Sequence, residues 1–350
     1  MDVSLFDFDL PERAIALRPV SPRDSAKMLH VEGRHITDHH VSDLPDLLRA
    51  GDILVLNETK VLRAALTAIR PARAHGGGGD VTVDINLHKH VSATTWLAFA
   101  RPAKRLKVGD VVRFSGDLTA KITAKADAEV TLEFSKSGDA LERAIQACGA
   151  APLPPYIARK RAADAADFED YQTVFARDMG SVAAPTAGLH FTPELLALLT
   201  SKGVKFAKLT LHVGAGTFLP VKSDNTDDHI MHSEYFDISA NAAATINAAR
   251  IAGGRVIAVG TTALRALESA SVDGLLRAQA RETDIFITPG YKFQIVDGVM
   301  TNFHLPKSTL FMLVSALAGR EVMQRAYGHA ITHDYRFYSY GDSSLLWRVK

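Results

Sequence analysis

At 350 residues, 47 % hydrophobic and 23 % charged, the chain has the composition of a globular protein large enough for two domains. A formal net charge of +1 excludes a strongly basic nucleic-acid binder, so any phosphate-binding face must be local. The one cysteine, Cys148, excludes an internal disulfide and a cysteine-rich metal site, and a reducing, cytoplasmic location is expected. The segment Met1 to Asp9 is acidic where a signal peptide is basic. The most apolar window, Leu310 to Ala318, is far shorter than the roughly 20 residues a membrane span needs.

Phe6-Asp-Phe-Asp-Leu-Pro11 leads into a segment carrying Arg13, Arg18 and Arg23, which Pro19 and Pro22 keep extended. Three guanidinium forks on a stiff arm suit phosphate or carboxylate; the plainer alternative is a solvated arm. Ala26 to Glu32 and His35 to Val41 read as a hairpin about Glu32-Gly33-Arg34. Leu44 to Arg49 is a short helix stopped by Gly51, and Asp52 to Leu56 is a buried strand. Asn57-Glu58-Thr59-Lys60 follows at the strand's end, where α/β proteins tend to place ligands.

Composition shifts near residue 70, and His75-Gly-Gly-Gly-Gly-Asp80 is a flexible connector. Five short strands with period-two alternation follow: Val81 to Leu87, Thr95 to Ala100, Val111 to Phe114, Leu118 to Thr123 and Glu129 to Phe134. This predicts an inserted antiparallel β-barrel over 71–152, between main-domain segments 1–70 and 153–350. Arg101, Lys104, Arg105, Lys107 and Arg113 lie in or beside one loop, opposed by Asp110. They form a candidate phosphate-binding edge, or a solvated sheet edge that resists aggregation. Leu141 to Cys148 is a short helix, and Pro152-Leu-Pro-Pro155 returns the chain to the main domain.

Beyond Tyr156, helices and strands alternate. Arg159-Lys160-Arg161 is a second basic cluster, followed by acidic residues from Asp164 to Asp170. Thr186-Ala-Gly188-Leu-His190-Phe-Thr192-Pro193 places a tight loop before a helix, with Thr192 as N-cap. Free amides there can bind an anion. Lys205 to Val213 is a strand, and Gly214-Ala-Gly216-Thr217-Phe218 permits close backbone approach to a ligand. It is not a dinucleotide fingerprint, because the third glycine and the following helix are missing. Ser239 to Ile251 is an alanine-rich helix, and Arg255 to Val259 a buried strand. Gly260-Thr261-Thr262 then opens a helix carrying Arg265 and Glu268, either a cradle for a carboxylate or ribose or an ordinary N-cap.

Ile285 to Thr288 reads as a short strand, Phe293 to Phe303 as a hairpin turning at Asp297-Gly298, and Ser308 to Gly319 as a capped helix. Asn302, His304 and Lys307 gather at the junction, as a site on a rigid frame or as backbone-satisfying caps. Tyr335 to Ser344 is aromatic and polar, a candidate stacking surface. Among 14 histidines, His229 and His232 are spaced for one helix face. No His-Glu-x-x-His accompanies them, so no metal is expected. Gly341-Asp-Ser-Ser344 has no histidine after it, and His75-Gly-Gly-Gly has no Gly-x-Ser-x-Gly partner, so neither marks a hydrolase.

Several of these stretches together carry a resemblance. Thr186-Ala-Gly-Leu-His-Phe-Thr, Leu211-His-Val-Gly-Ala-Gly-Thr-Phe, His232-Ser-Glu-Tyr, Gly260-Thr-Thr, Thr301-Asn-Phe-His-Leu-Pro-Lys-Ser and Arg336-Phe-Tyr-Ser-Tyr-Gly-Asp resemble the S-adenosylmethionine:tRNA ribosyltransferase-isomerases of queuosine biosynthesis. Phe6-Asp-Phe-Asp-Leu-Pro and Arg18-Pro-Val-Ser-Pro-Arg-Asp-Ser-Ala match as well, so the resemblance spans nearly the whole chain. One stretch departs: Glu58, Arg63 and Ala65 stand where the family has Asp, Pro and Arg.

The resemblance implies an α/β fold, with a barrel-like main domain and an inserted small antiparallel β-barrel. It implies transfer and isomerisation of the ribosyl part of S-adenosylmethionine onto the aminomethyl group of a 7-deazaguanine in a tRNA anticodon. Epoxyqueuosine forms, with release of adenine and methionine. Such an enzyme uses no metal or redox cofactor, since S-adenosylmethionine is consumed, and a monomer off the membrane is expected. Its chemistry needs a base for an acidic ribose C5′ proton and an acid for the leaving adenine. On matching motifs, His190, His304, His212, Glu234 and Glu268 are the acid–base candidates, with His190 or His304 as the base. Thr186, Gly188, His212, Gly214, Gly216, Thr217, Asn302 and Lys307 are expected at the substrate, and Thr261, Thr262 and Arg265 on its carboxylate or ribose. Arg13, Arg18, Arg23, Lys104, Arg105, Arg159 and Lys160 are expected on tRNA phosphates. Rival classes are an S-adenosylmethionine-dependent RNA methyltransferase, which needs a glycine loop after its first strand, and a non-catalytic RNA binder, which is usually basic and rich in aromatics.

Overall fold

The computed structural model describes residues 1–74, 79–214, 221 and 223–349. They cluster into two compact units, one formed by Met1–Thr59, Thr173–Asp178 and Pro185–Lys350, the other by Lys60–Gln172 and Met179–Ala184.

The second unit is a closed six-stranded antiparallel barrel of Ala65–Arg70, Val81–His90, Thr95–Arg101, Val111–Arg113, Thr119–Ala126 and Glu129–Phe134. Alternation dictates the closure: Leu66, Ala68, Val83, Ile85, Ile122, Val130 and Leu132 point inward and share one core. Leu141 and Ile145 of the helix Gly138–Cys148 pack into the same core. The unit begins earlier than the expected residue 71 because Ala65–Arg70 is the barrel's sixth strand. It also extends past 152, to Gln172. Gly149 is dictated by space, since a Cβ there would lie 1.9 Å from the Arg63 carbonyl oxygen.

The first unit is built on nine strands: β1 (Lys27–Glu32), β2 (His35–His40), β3 (Ile53–Asn57), β4 (Lys205–Leu211), β5 (Glu234–Ile238), β6 (Val256–Val259), β7 (Gln279–Thr283), β8 (Gly298–Asn302) and β9 (Ser343–Trp347). Their order is β7-β5-β4-β3-β6-β8-β9-β1-β2, so the expected barrel-like domain takes the form of a large mixed sheet with β7 and β2 at its ends. The central strands β4, β3, β6 and β8 are mutually parallel. Every residue of β3, β6 and β8 is buried, as expected of continuous apolar runs covered on both faces. Among the described residues, this unit's helices of nine residues or more are α1 (Pro193–Ser201), α2 (Ala240–Ile251), α3 (Thr261–Ser269), α4 (Thr309–Ala318) and α5 (Arg320–Thr332). Thr192, Ser239 and Ser308 cap α1, α2 and α4, each side chain accepting from an amide three residues on.

One end of the parallel strands is fastened by charge. Asp52, fully buried, accepts from Arg255 Nη2 at 2.6 Å, and the guanidinium lies 3.9 Å over the Trp347 ring. Asp297 accepts from the Val256 amide at 2.9 Å. The Asp297-Gly298 pair is therefore not a hairpin turn: residues 293–297 are irregular, and Gly298 opens β8. Its glycine answers to packing, because a Cβ would come within 2.8 Å of the Trp347 ring. Residues 285–288 form no strand, and His229 and His232 lie on no helix. Tyr335 and Phe337 pack 5.4 and 4.9 Å from Phe303 inside the core, so they are not a stacking surface. With the N-terminal ends tied, the C-terminal residues Asn57, Leu211, Val259 and Asn302 share the opposite edge of the sheet. Among the described residues, no helix is long and apolar enough to cross a membrane.

Candidate active site

The edge formed by those strand ends gathers most of the sequence-expected polar residues of the first unit. Asn57 ties two strands together: its Nδ2 donates to the Leu211 carbonyl at 2.9 Å, and its Oδ1 accepts from the Leu211 amide at 3.0 Å. Next in the chain, the Thr59 hydroxyl meets His212 Nδ1 at 2.9 Å. The His212 ring stacks on Tyr235 with centroids 5.9 Å apart.

Asn302, at the end of β8, is bound to the short helical turn Thr186–His190. The Thr186 hydroxyl donates to Asn302 Oδ1 at 2.9 Å, and Asn302 Nδ2 meets His190 Nε2 at 3.2 Å. Gly188 lets the other side of the turn pack on residues 173–175, because a Cβ would meet Phe175 at 2.8 Å and Thr173 at 2.9 Å. His190 is 5 % exposed, and burial, then the charges of Arg23 and Arg336, push its pKa down to about 3. It borders a small cavity with Arg23, Leu189, Ser339, Tyr340 and Gly341. His304 is placed differently. Its Nε2 meets the Thr301 hydroxyl at 3.2 Å and its Nδ1 the Tyr327 hydroxyl at 3.3 Å. Burial pushes His304 to about 3 as well. Both imidazoles are therefore neutral at physiological pH, but the cavity reaches only His190 of the two.

The two candidate glutamates differ just as sharply. Glu234 is paired with Arg265 of α3, and its Oε1 accepts from the Gly214 amide at 3.1 Å. Glu268 accepts from the amides of Gln294, Ile295 and Val296 at 2.7, 3.1 and 3.0 Å and from the Tyr291 hydroxyl at 3.2 Å. A carboxylate so fully engaged staples the 291–296 loop and is not positioned as the acid or base expected of it. Thr261 and Thr262 are buried on the first turn of α3, behind Gly260, whose φ of +91° suits glycine. Lys307 is drawn elsewhere: its Nζ pairs with Asp7 at 2.7 Å. Gly216 and Thr217, like residues 75–78 of the connector, lie outside the described residues.

The expected phosphate contacts divide between the units. Arg13, Arg18 and Arg23 belong to the first, and only Arg23 lines the His190 cavity. Lys104 and Arg105 are exposed on a short turn of the second unit, as are Arg159 and Lys160 after a separate short helix. Asp110, which stood against the basic loop, is taken by Arg73 at 2.6 Å. Among the described residues, no three His, Cys, Asp or Glu side chains are grouped to hold a metal ion.

The C-terminal turn 336–342, expected within a stacking surface, instead lends Ser339, Tyr340 and Gly341 to the wall of the His190 cavity. Buried Asp342 holds the turn shut by accepting from the Arg336 amide at 2.8 Å and from Arg336 Nη2 at 3.1 Å. A Cβ on Gly341 would lie 2.3 Å from the Arg336 carbonyl. Tyr338 sits at φ +71°, a conformation costly for an aromatic residue and kept where surroundings over-determine it. Its signal was the motif itself: a glycine and an aspartate at fixed offsets within an aromatic run.

Comparison with known proteins agrees with this architecture. The family model for queuosine biosynthesis proteins matches residues 3–346. The S-adenosylmethionine:tRNA ribosyltransferase-isomerase of Maricaulis maris is 62 % identical over 351 residues, covering 99 % of each chain. That of Rhodospirillum rubrum is 58 % identical over 348 residues, covering 99 % of this chain and 98 % of its own. The crystal structure of an S-adenosylmethionine tRNA ribosyltransferase from Thermotoga maritima is 31 % identical, with a TM-score of 0.56 over 97 % of this chain and 99 % of that one. On a match running almost from end to end, the chain belongs to the queuosine biosynthesis protein family.

Proposed function

We propose that the chain transfers and isomerises the ribosyl moiety of S-adenosylmethionine onto 7-aminomethyl-7-deazaguanine in tRNA anticodons. The products are epoxyqueuosine-tRNA, adenine and methionine. The observation that carries this reading is the full-length likeness to enzymes named for that reaction. The site supports it with a buried neutral histidine, His190, on a cavity at the ligand-binding edge of the sheet.

The sulfonium of S-adenosylmethionine acidifies the adjacent C5′ protons, and a neutral imidazole can take one. The attacking amine must be neutral, and adenine leaves more readily once protonated. His190 is the base in this reading. Thr186 orients Asn302, whose Nδ2 donates to the lone pair of His190 Nε2, and the imidazole gives up that bond when it takes the proton. Burial and two nearby guanidiniums make His190 a weak base without substrate. A tRNA phosphate set against Arg23 and Arg336 would offset that field and raise its basicity. The donor is consumed, and the reading requires neither metal nor redox cofactor.

The test is incubation with S-adenosylmethionine and precursor-bearing tRNA in chelator-containing buffer. Stoichiometric adenine and methionine release, with the matching gain in tRNA mass, is expected. Release of S-adenosylhomocysteine would identify a methyltransferase, and no turnover a binder.

The barrel's basic loop makes a separate expectation. Replacing Lys104 and Arg105 by glutamate reverses two exposed charges, so tRNA affinity should fall about tenfold or more at low salt. The log–log salt dependence should become shallower, and S-adenosylmethionine affinity should not move. Unchanged tRNA affinity in a filter-binding titration would remove this loop from the RNA interface.

A further inference from the structure

Arg265 lies on the second turn of α3 with its guanidinium almost wholly enclosed; the residue is 3 % exposed. Its three nitrogens are used unequally. Nε donates to the Ile285 carbonyl at 3.2 Å, and Nη1 donates to Glu234. Nη2 is buried without a hydrogen-bond partner. The fork cannot turn to relieve this. Rotation would break the Ile285 bond or the ion pair, and Glu234 is itself held through Oε1 by the Gly214 amide. An unmade bond on a buried cationic donor is costly, and native proteins retain few such groups.

The geometry points to Arg265 Nη2 as a ligand-binding donor for an uncharged acceptor of the nucleoside, a ribose hydroxyl or an adenine ring nitrogen. It is not the seat of the methionine carboxylate. This inference rests on the ribosyl-transfer reading above and narrows the carboxylate-or-ribose alternative left open by the sequence. Charge decides between them. Glu234 already balances the single positive charge of Arg265, and a second carboxylate would share that charge with a buried carboxylate beside it. A hydroxyl or ring nitrogen satisfies the donor with no like-charge term. Thr261 stands four residues before Arg265 and so adds a hydroxyl on the same helix face. Nη2 has no solvent contact, so the acceptor reaches it only after a neighbouring side chain shifts. Glu234 touches no ligand in this scheme; it is a positioning residue that orients and neutralises Arg265.

The test is a calorimetric binding matrix. S-adenosylmethionine, its 2′-deoxy, 3′-deoxy and deaza-adenine analogues and its decarboxylated form are titrated into wild type, Arg265→Lys and Glu234→Met/Arg265→Met. The lysine variant keeps Glu234 paired if the double variant does not fold. In wild type, one deoxy or deaza analogue should lose roughly 10- to 100-fold in affinity, the scale of a lost bond to a charged donor. In both variants that loss should largely vanish, while any loss on decarboxylation stays the same as in wild type. The analogue affected tells hydroxyl from ring nitrogen. A decarboxylation loss that vanishes with Arg265 would overturn the assignment, as would analogue losses that are equal in wild type and variants. If wild type binds no S-adenosylmethionine even with tRNA present, the ribosyl-transfer reading falls too.

Discussion

His190→Asn is expected to lower kcat about 10²- to 10⁴-fold, the range for loss of a general base. S-adenosylmethionine and tRNA affinities should stay within about twofold of wild type, because asparagine can still bond to Asn302. Exchange of the cofactor's C5′ protons with solvent should stop, provided the wild type shows such exchange. His304→Asn should behave differently. His304 is enclosed by Thr301 and Tyr327 and does not border the cavity that His190 lines, so its loss should lower stability more than turnover. The pH dependence carries a further expectation. With its pKa depressed from 6.5 to about 3, His190 is already deprotonated well below neutrality. The kcat/KM profile reports the free enzyme, so it should show no ascending limb near pH 6.5. In the fold, a depressed histidine pKa means that the unfolded chain binds more protons between about pH 3 and pH 6.5. The associated stability is complete above that window and is lost as pH falls through it, by at most about 1.4 kcal/mol per pH unit per histidine. Near-normal turnover in both asparagine variants would remove both histidines as the base.

Glu268→Ala should unfold more readily, by about 3–5 kcal/mol, because three backbone amides and the Tyr291 hydroxyl lose one buried acceptor together. That corresponds to a thermal midpoint lower by on the order of 10 °C in a unit of this size. Glu268→Gln keeps one acceptor oxygen and should lose about half as much. Specific activity of the folded fraction should remain within a few-fold of wild type in both variants. A hundredfold fall in kcat at an unchanged midpoint would return Glu268 to the catalytic set. Differential scanning calorimetry read beside initial rates separates the two outcomes.

What the sequence determined by itself was what local periodicity and local chemistry control. Five barrel strands were visible because alternation such as that of Glu129 to Phe134 has one physical meaning, a strand with one buried face. Thr192 and Ser308 were legible as caps because a hydroxyl three residues before a free amide needs no distant partner. The family, too, was legible, since its motifs are contiguous.

What only the tertiary structure decided was everything that depends on a partner far along the chain. Asp297-Gly298 has the composition of a turn, but Asp297 bonds Val256 and Gly298 makes room for Trp347. Lys307 lies five residues from Asn302, yet its charge is drawn to Asp7. Glu234 and Glu268 are the same residue type on neighbouring motifs. One is bound to a guanidinium and the other to a row of amides, because of where Arg265 and the 291–296 loop fall. His190 and His304 were indistinguishable in sequence and have similarly depressed pKa values. They separate because the turn 336–342 folds its Ser339, Tyr340 and Gly341 against the first and leaves the second enclosed by Thr301 and Tyr327. Side-chain chemistry can be read one residue at a time, whereas burial and partnership are set by which strand ends share an edge, and that is a property of the assembled sheet.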